Sequence, residues 1–483
     1  MRPLQIDPYS DEFQQSPFAA HAALRATAPV YRVPDRGFYL ITTHALVREV
    51  LHDPVTYANS VTSARRTEPP PEIAGQIAAI RAEGFAYQSA LGLSDPPRHT
   101  RYRKLVQRAF IPRALAWMEP IIADASRELV AALPAPGTVD IVRALAWPVP
   151  VYAISRILGL PDSWHEDIGR WSDAATASLG AQPLEPERWL QTERDMIEYQ
   201  RRISAELDLR RAAPRDDMLS VLVQPDPDEG ALTNAELVWF VRELMVAGNE
   251  TTTKLLTDMV LRLSDRPGQW RRLHADPDRA AVMVEEGLRL ASPAQGMFRR
   301  VTRPVTLGGV PLPEGAVVFL SFISANRDET VFESPDEFNP DRRNVRHHLS
   351  FGQGIHACLG NVLARMEATA VLRELARRVD RLEVVDPTAV RYLPSFFLRG
   401  IPELPVRVHP ADSSWQEDEL TASRSHHLEW VIFSPWPRDR PASQPQGGAS
   451  TAPAKPGLFA EGRCIRPRLC RIQRSGGSLT RPG

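Results

Sequence analysis

Apolar residues recur along this chain with two distinct periods. Val30 to Val33 and Phe38 to Ile41 are short runs of strand formers flanking Pro34-Asp35-Arg36-Gly37, which predicts a β-hairpin. From about Thr43 the period lengthens, and Leu46, Val47, Val50 and Leu51 share one face of a helix. Between Arg113 and Asp265 the spacing is overwhelmingly helical. Strand character returns over Val305-Thr306-Leu307-Gly308-Gly309-Val310 and from Ala316 to Leu320. The sum predicts a mainly α (α+β) protein, a helix-rich body with a smaller strand-rich part.

One predicted helix breaks local rules. Thr233 and Glu236 have the spacing of a capping box. Leu237, Phe240, Val241, Leu244 and Met245 follow, then Leu255, Leu256, Met259, Val260 and Leu263. At ~1.5 Å per residue such a helix is roughly 45 Å long, enough to cross a domain. Its middle reads Ala247-Gly248-Asn249-Glu250-Thr251-Thr252. The glycine alone costs about 1 kcal/mol of helix stability, and a buried carboxylate costs more unless it is satisfied. The break is either a solvent-facing polar patch or a functional site.

Composition changes the picture in two places. The chain has 483 residues, 43% hydrophobic and 24% charged, enough for a large core in one big domain or two. A net charge of −1 gives no argument for a nucleic-acid partner. Three cysteines, Cys358, Cys464 and Cys470, fit a reducing compartment. The N-terminus shows no apolar signal segment and no run of 18 apolar residues occurs, so a cytoplasmic protein without a membrane span is expected. From Ala411 to Gly483, Pro, Gly and Ser make up one third of the residues, and Arg463 to Arg481 holds six arginines and no acid. Residues 1–410 are therefore expected to form the folded domain and 411–483 a disordered tail, with a docking arm for an acidic partner as the alternative.

Cys358 carries the chemistry. It lies in Phe351-Gly352-Gln353-Gly354-Ile355-His356-Ala357-Cys358-Leu359-Gly360, just before an amphipathic helix with Leu359, Val362, Leu363, Met366, Val371 and Leu375 on its apolar face. Helix N-terminal N–H groups and the helix dipole favour thiolate there. Gly352 and Gly354 permit positive φ or a close approach to a large flat ligand, and Gly360 leaves the first turn open. A lone cysteine is often a small buried hydrophobe. A zinc site needs about four ligands, an iron–sulfur cluster several cysteines, and covalent haem attachment a C-x-x-C-H motif, none of which is present. A cysteine nucleophile needs a histidine base, and His356 two residues away does not by itself make a dyad. An axial thiolate to haem needs one cysteine only.

This segment resembles the haem-binding loop of the cytochrome P450 monooxygenases, F-G-x-G-x-[HR]-x-C-x-G, at every specified position. Ala247 to Thr252 resembles the family's oxygen-binding motif, [AG]-G-x-[DE]-T-T. The resemblance implies that Cys358 is the axial ligand of haem b, that the Thr251 hydroxyl hydrogen-bonds bound oxygen and holds a water, and that Glu250 relays protons from solvent. His99 and Arg103, at i,i+4, are similar to the family's H-x-x-x-R, and with Arg299 and His356 would hold the two haem propionates. Glu286-Gly287-Leu288-Arg289 matches an E-x-x-R, and Pro340-Asp341-Arg342 a P-x-R whose arginine would join that pair in a buried ion network. These motifs follow one another in the family's order, and the resemblance covers about residues 10 to 408.

The function so implied is insertion of one oxygen atom of O2 into a C–H bond of a lipophilic small molecule. No flavin or ferredoxin module is expected in the tail, so electrons would come from a separate ferredoxin and ferredoxin reductase. A peroxide-driven peroxygenase and a non-catalytic haem sensor are the alternatives; the Glu250–Thr251 pair argues against both. The resemblance places the pocket among residues 62–92, 171–188, 244–247, 293–298 and 395–397, with Leu91, Leu244, Val246, Met297, Phe396 and Phe397 as apolar members. No acidic cluster faces these stretches from the nearby motifs, so nothing there points to a cationic substrate. A steroid, terpenoid or fatty acid fits such a pocket, with macrolide-like polyketides a further class.

Overall fold

Two features turn the chain back on itself at its start. The hairpin pairs β1 (Val30–Val33) with β2 (Phe38–Ile41) antiparallel, Val33 opposite Phe38. Its loop holds Asp35 and Gly37 at positive φ. The computed structural model describes residues 5–59, 69–107, 110–177 and 184–411. The predicted tail therefore lies, Ala411 apart, outside the described residues, as do residues 62–68 and 178–183 of the expected pocket.

The remaining described strands are β3 (Tyr57–Ala58), β4 (Gly137–Asp140), β5 (Gly296–Val301), β6 (Val305–Leu307), β7 (Val310–Leu312), β8 (Val317–Ser321), β9 (Val379–Val384) and β10 (Pro405–Pro410). They form a five-stranded sheet in the order β1-β2-β8-β5-β3, a three-stranded sheet β4-β10-β9 and the pair β6-β7. Only β2 and β8 run parallel. The strand character expected across 305–310 appears as the two strands β6 and β7. Gly308 and Gly309, at φ +54° and +80°, make the tight turn of a hairpin, because consecutive positive φ angles suit a two-residue hairpin loop.

The long helix runs Asn234–Ser264, and the predicted capping box closes it: Thr233 Oγ1 accepts the Glu236 N–H at 3.2 Å, and Glu236 Oε2 accepts the Thr233 N–H at 2.9 Å. Glu236 also accepts from Tyr102 Oη at 3.0 Å and Arg101 Nη1 at 3.2 Å, which ties this end to the helix Arg98–Val106. Leu237, Phe240, Val241 and Met245 belong to one apolar core, shared with the helices Pro148–Leu158 and His165–Ala177. Leu255, Leu256, Met259 and Leu263 belong to another, shared with Met118–Ala131, Ala280–Ala291 and the post-cysteine helix Asn361–Arg378. The polar break at 247–252 lies between the two cores. Gly248 permits close contact there, since a Cβ would stand 3.2 Å from Ile154 Cδ1.

The E-x-x-R pair forms inside this body. Glu286 and Arg289 are both fully buried and exchange two hydrogen bonds, Nε–Oε2 at 2.8 Å and Nη2–Oε1 at 2.7 Å. Arg342 adds Nε–Oε1 at 3.4 Å, so it joins the pair as the resemblance implied. Arg289 also donates to the carbonyls of Asn326, Pro335 and Glu337, and the Asn339 N–H donates to Glu286. The segment 326–342, which leads into the cysteine loop, is thus held by both members of this pair. Among the described residues no helix is long and apolar enough to cross a membrane.

Removing one member of such a pair leaves a buried charge unmatched, at about 3–5 kcal/mol. Glu286→Ala is expected to lose that much stability in urea unfolding. Arg201→Ala, which removes the exposed Arg201–Glu83 pair, is expected to change it by less than about 1 kcal/mol.

Candidate functional site

A cavity of about 270 Å³ lies against the polar break of the long helix. Ala247, Gly248, Thr251 and Thr252 line one wall, and Phe351, Cys358, Leu359 and Gly360 line another. The cysteine loop reaches that position because Gly352 and Gly354 take φ +62° and +71°. A Cβ on Gly354 would overlap the Leu51 carbonyl. The Cys358 N–H donates to Phe351 O at 2.8 Å, and Arg103 Nη1 donates to Ala357 O at 2.8 Å. The post-cysteine helix starts at Asn361, with Gly360 as its cap.

The thiol departs from expectation. Burial pushes its pKa up, and the Gly360 N–H with the cations Arg103 and Arg365 only partly oppose this. A helix terminus is too weak a field to win against desolvation in an apolar wall. A bound cation at the sulfur would reverse the balance, because coordination deprotonates a thiol outright. No cluster of three or more His, Cys, Asp or Glu that could hold a metal occurs among the described residues, so a one-ligand role suits Cys358.

His99, Arg103, Arg299 and His356 all line the same cavity. The two imidazoles stand edge to face, 4.3 Å between centroids, and neither Nε2 has a hydrogen-bond partner although both are buried. Burial, with Arg299 and His99 adding repulsion, holds His356 down at about 3. Burial also lowers His99 and Arg103, and brings Arg299 down to about 10. Arg299 donates to Asn59 Oδ1 at 2.8 Å and Phe298 O at 2.7 Å, both neutral acceptors. Among the described residues, no carboxylate is in hydrogen-bond contact with these donors and cations. A flat ligand carrying two carboxylates would satisfy them, and the open space beside Gly360, where a Cβ would meet nothing within 4 Å, leaves room for its face. The residues present fit haem.

The acid–threonine pair divides. Thr251 lines the cavity and its hydroxyl donates to Ala247 O at 2.8 Å. Glu250 does not line it; its carboxylate is paired with Lys254, one turn on, which is itself buried. The helix turn separates the two side chains by about 100°, so one faces the ligand and the other the protein behind it.

The pocket differs from expectation in several residues. Leu91, Leu244 and Met297 line it. Val246 packs into the core beside the long helix instead, and Phe396 and Phe397 pack with Phe38, Phe298 and Phe319 beneath the five-stranded sheet. Asn59 and Ile154 line it unannounced, because they come from elements joined only by the fold, and Phe240 lies on the long helix one turn before Leu244. Against the expectation of a pocket without facing acids, Glu243 and Glu367 both line it. Glu243, Ala247 and Thr251 stand at i, i+4 and i+8, so helical spacing from the break could have found Glu243. Glu367, on the post-cysteine helix, is buried with Oε2 unpartnered, and burial pushes it up to about 8.

Comparison with known proteins agrees with this geometry. The family model for cytochrome P450 matches residues 191–387. The erythromycin C-12 hydroxylase of Saccharopolyspora erythraea is 36% identical over 389 residues, 79% of this chain and 92% of that protein. The vitamin D(3) 25-hydroxylase of Pseudonocardia autotrophica is 35% identical over 84% of this chain and 97% of its own. Among solved structures, cytochrome P450 CYP109Q5 from Chondromyces apiculatus superposes with a TM-score of 0.74 at 34% identity, covering 84% of this chain and 98% of that one. Likeness of this extent, over a cavity with a lone cysteine on one wall and unpaired cations along its edge, means that the chain belongs to the cytochrome P450 family and is a haem-dependent monooxygenase.

Proposed function

We propose that this enzyme hydroxylates a lipophilic small molecule, that Cys358 would hold the iron of haem b, and that Thr251 and Glu250 would manage protons for the reaction. The observation that carries the reading is the placement of Cys358 and Thr251 on different walls of one cavity. When bound, the haem iron supplies oxygen activation: one oxygen atom enters a C–H bond and the other leaves as water, using two electrons and two protons. The b-type assignment rests on the lack of a C-x-x-C-H segment for covalent attachment.

Each residue then has a task. Cys358 donates electron density as a thiolate. His99, Arg103, Arg299 and His356 hold the propionates and bury that edge. The Thr251 hydroxyl moves from its bond to Ala247 O to hold a water beside the reacting oxygen. Glu250, behind the helix and charge-paired with Lys254, passes protons forward as that pair opens. Leu91, Leu244 and Met297 exclude water and hold an apolar substrate. Steroids, terpenoids and fatty acids fit such walls; macrolide-like polyketides fit too, and relatives are named for erythromycin and vitamin D(3). Electrons come from a ferredoxin and its reductase in the cytoplasm. Arg48, whose Nε donates to Gln353 of the cysteine loop at 3.1 Å, and Arg346 are exposed beside that loop and suit a small acidic carrier.

Carbon monoxide added to the dithionite-reduced protein should give a red-shifted Soret band that Cys358→Ser abolishes; a band unchanged by the substitution would overturn the thiolate ligand. Glu250→Gln should lower product formation by roughly 10²-fold. Thr251→Ala should keep NADH consumption while diverting it to hydrogen peroxide, read as product per NADH. Arg299→Leu combined with His356→Phe should retain less haem per polypeptide, measured by pyridine haemochrome absorbance, and equal retention would argue against the propionate role.

A further inference from the structure

Glu243 is not used by the mechanism above, yet it faces the same cavity. It stands two turns before Thr251 on the helix face that also carries Ala247. The wall around it is apolar, with Leu91, Phe240, Leu244 and Met297. Its Oε1 accepts the Gly92 N–H at 2.5 Å. No other hydrogen bond or ion pair reaches it among the described residues, and the neighbouring Arg242 guanidinium lies over the Trp239 ring, 5.1 Å from its centroid. Glu243 is half-buried. Burial pushes it up to about 7, with the Gly92 N–H and Arg242 pulling the other way.

One backbone N–H offsets only part of the cost of holding a carboxylate there. A cation seated in the cavity would offset more, and in a water-poor site its attraction is stronger than in bulk. We propose that Glu243 is a specificity-determining residue that receives a protonated amine, so that the preferred substrates are lipophilic molecules carrying a basic nitrogen. This rests on the monooxygenase reading of the cavity. Eight residues separate Glu243 from Thr251, roughly 12 Å along the helix axis.

Gly92 gives the rival role its form. Asn59 Nδ2 donates to the Gly92 carbonyl, so Glu243 and Asn59 hold the two peptides that flank Gly92. Glu243 would then only clip the loop that holds Leu91. Glu243→Gln separates the two roles, because the amide oxygen still accepts from Gly92 while the charge is lost.

The experiment is calorimetric titration of the haem-loaded enzyme with three probes of matched shape. Trimethyl(4-phenylbutyl)ammonium carries a permanent charge and no lone pair for iron. (5,5-Dimethylhexyl)benzene is its neutral isostere, and 6-phenylhexanoate is an anion of similar length. The wild type should bind the cation about tenfold more tightly than the isostere. Glu243→Gln should remove that preference, leave the isostere unchanged and strengthen the anion. Equal binding of cation and isostere by the wild type, or a variant that moves cation and anion in the same direction, would overturn the proposal. The carbon monoxide spectrum of the same variant keeps the readings apart. A retained red-shifted band beside a failed charge preference sinks the amine site alone, and a missing band in the wild type sinks the oxygenase reading beneath it.

Discussion

A helix buried along both of its halves can place a polar turn only against a cavity. The Asn234–Ser264 helix is held by one apolar core through Phe240 and Met245 and by another through Leu255 and Met259. Thr251 and Glu250 need partners there: the Thr251 hydroxyl bonds Ala247 O at the cavity, and Glu250 is paired with Lys254 on the protein side. The seam between the cores therefore opens where the sequence turns polar. Gly248 lets Ile154 close in behind, Asn249 donates to Ser172 Oγ at 2.7 Å, and Lys254 neutralises Glu250. What remains facing inward is small or hydroxylated, and the cysteine loop faces it across the gap.

Electrostatics along that gap point the same way. Four cationic or donor side chains line one edge with no carboxylate bonded to them among the described residues, and burial already pulls Arg299 and His356 toward their neutral forms. Such an arrangement is costly when empty and favourable with a dianion, so part of the fold's stability belongs to the ligand. The Cys358 thiol behaves alike: burial pushes it toward its neutral form, a balance that a metal at the sulfur would reverse. The contacts are linked: Arg299 bonds Asn59, Asn59 bonds Gly92, and Gly92 bonds Glu243. A chain of hydrogen bonds thus joins the edge of the haem site to the wall of the substrate pocket.

Much of this was written in local spacing. The capping box at Thr233 and Glu236, the hairpin at Val30 to Ile41, the E-x-x-R pair and the glycines before Cys358 depend on residues within a few positions of one another, and each appears in the structure as its spacing predicts. Errors arose where local rules were silent or outvoted. Phe396 and Phe397 were apolar enough for the pocket but were taken by an aromatic cluster.

The sequence by itself determined which groups the protein has for its chemistry: one cysteine behind a glycine turn, an acid–threonine pair inside a helix, and histidines and arginines at set intervals. Periodicity and chain order carry that information because they act through the backbone over a few residues. Tertiary structure alone decided which of those groups face one another and in what charge state. Asn59, Glu243 and Glu367 meet at one cavity from segments far apart in the chain. The raised Cys358 thiol and the lowered His356 and Arg299 follow from burial, which no residue carries until the chain has packed around it.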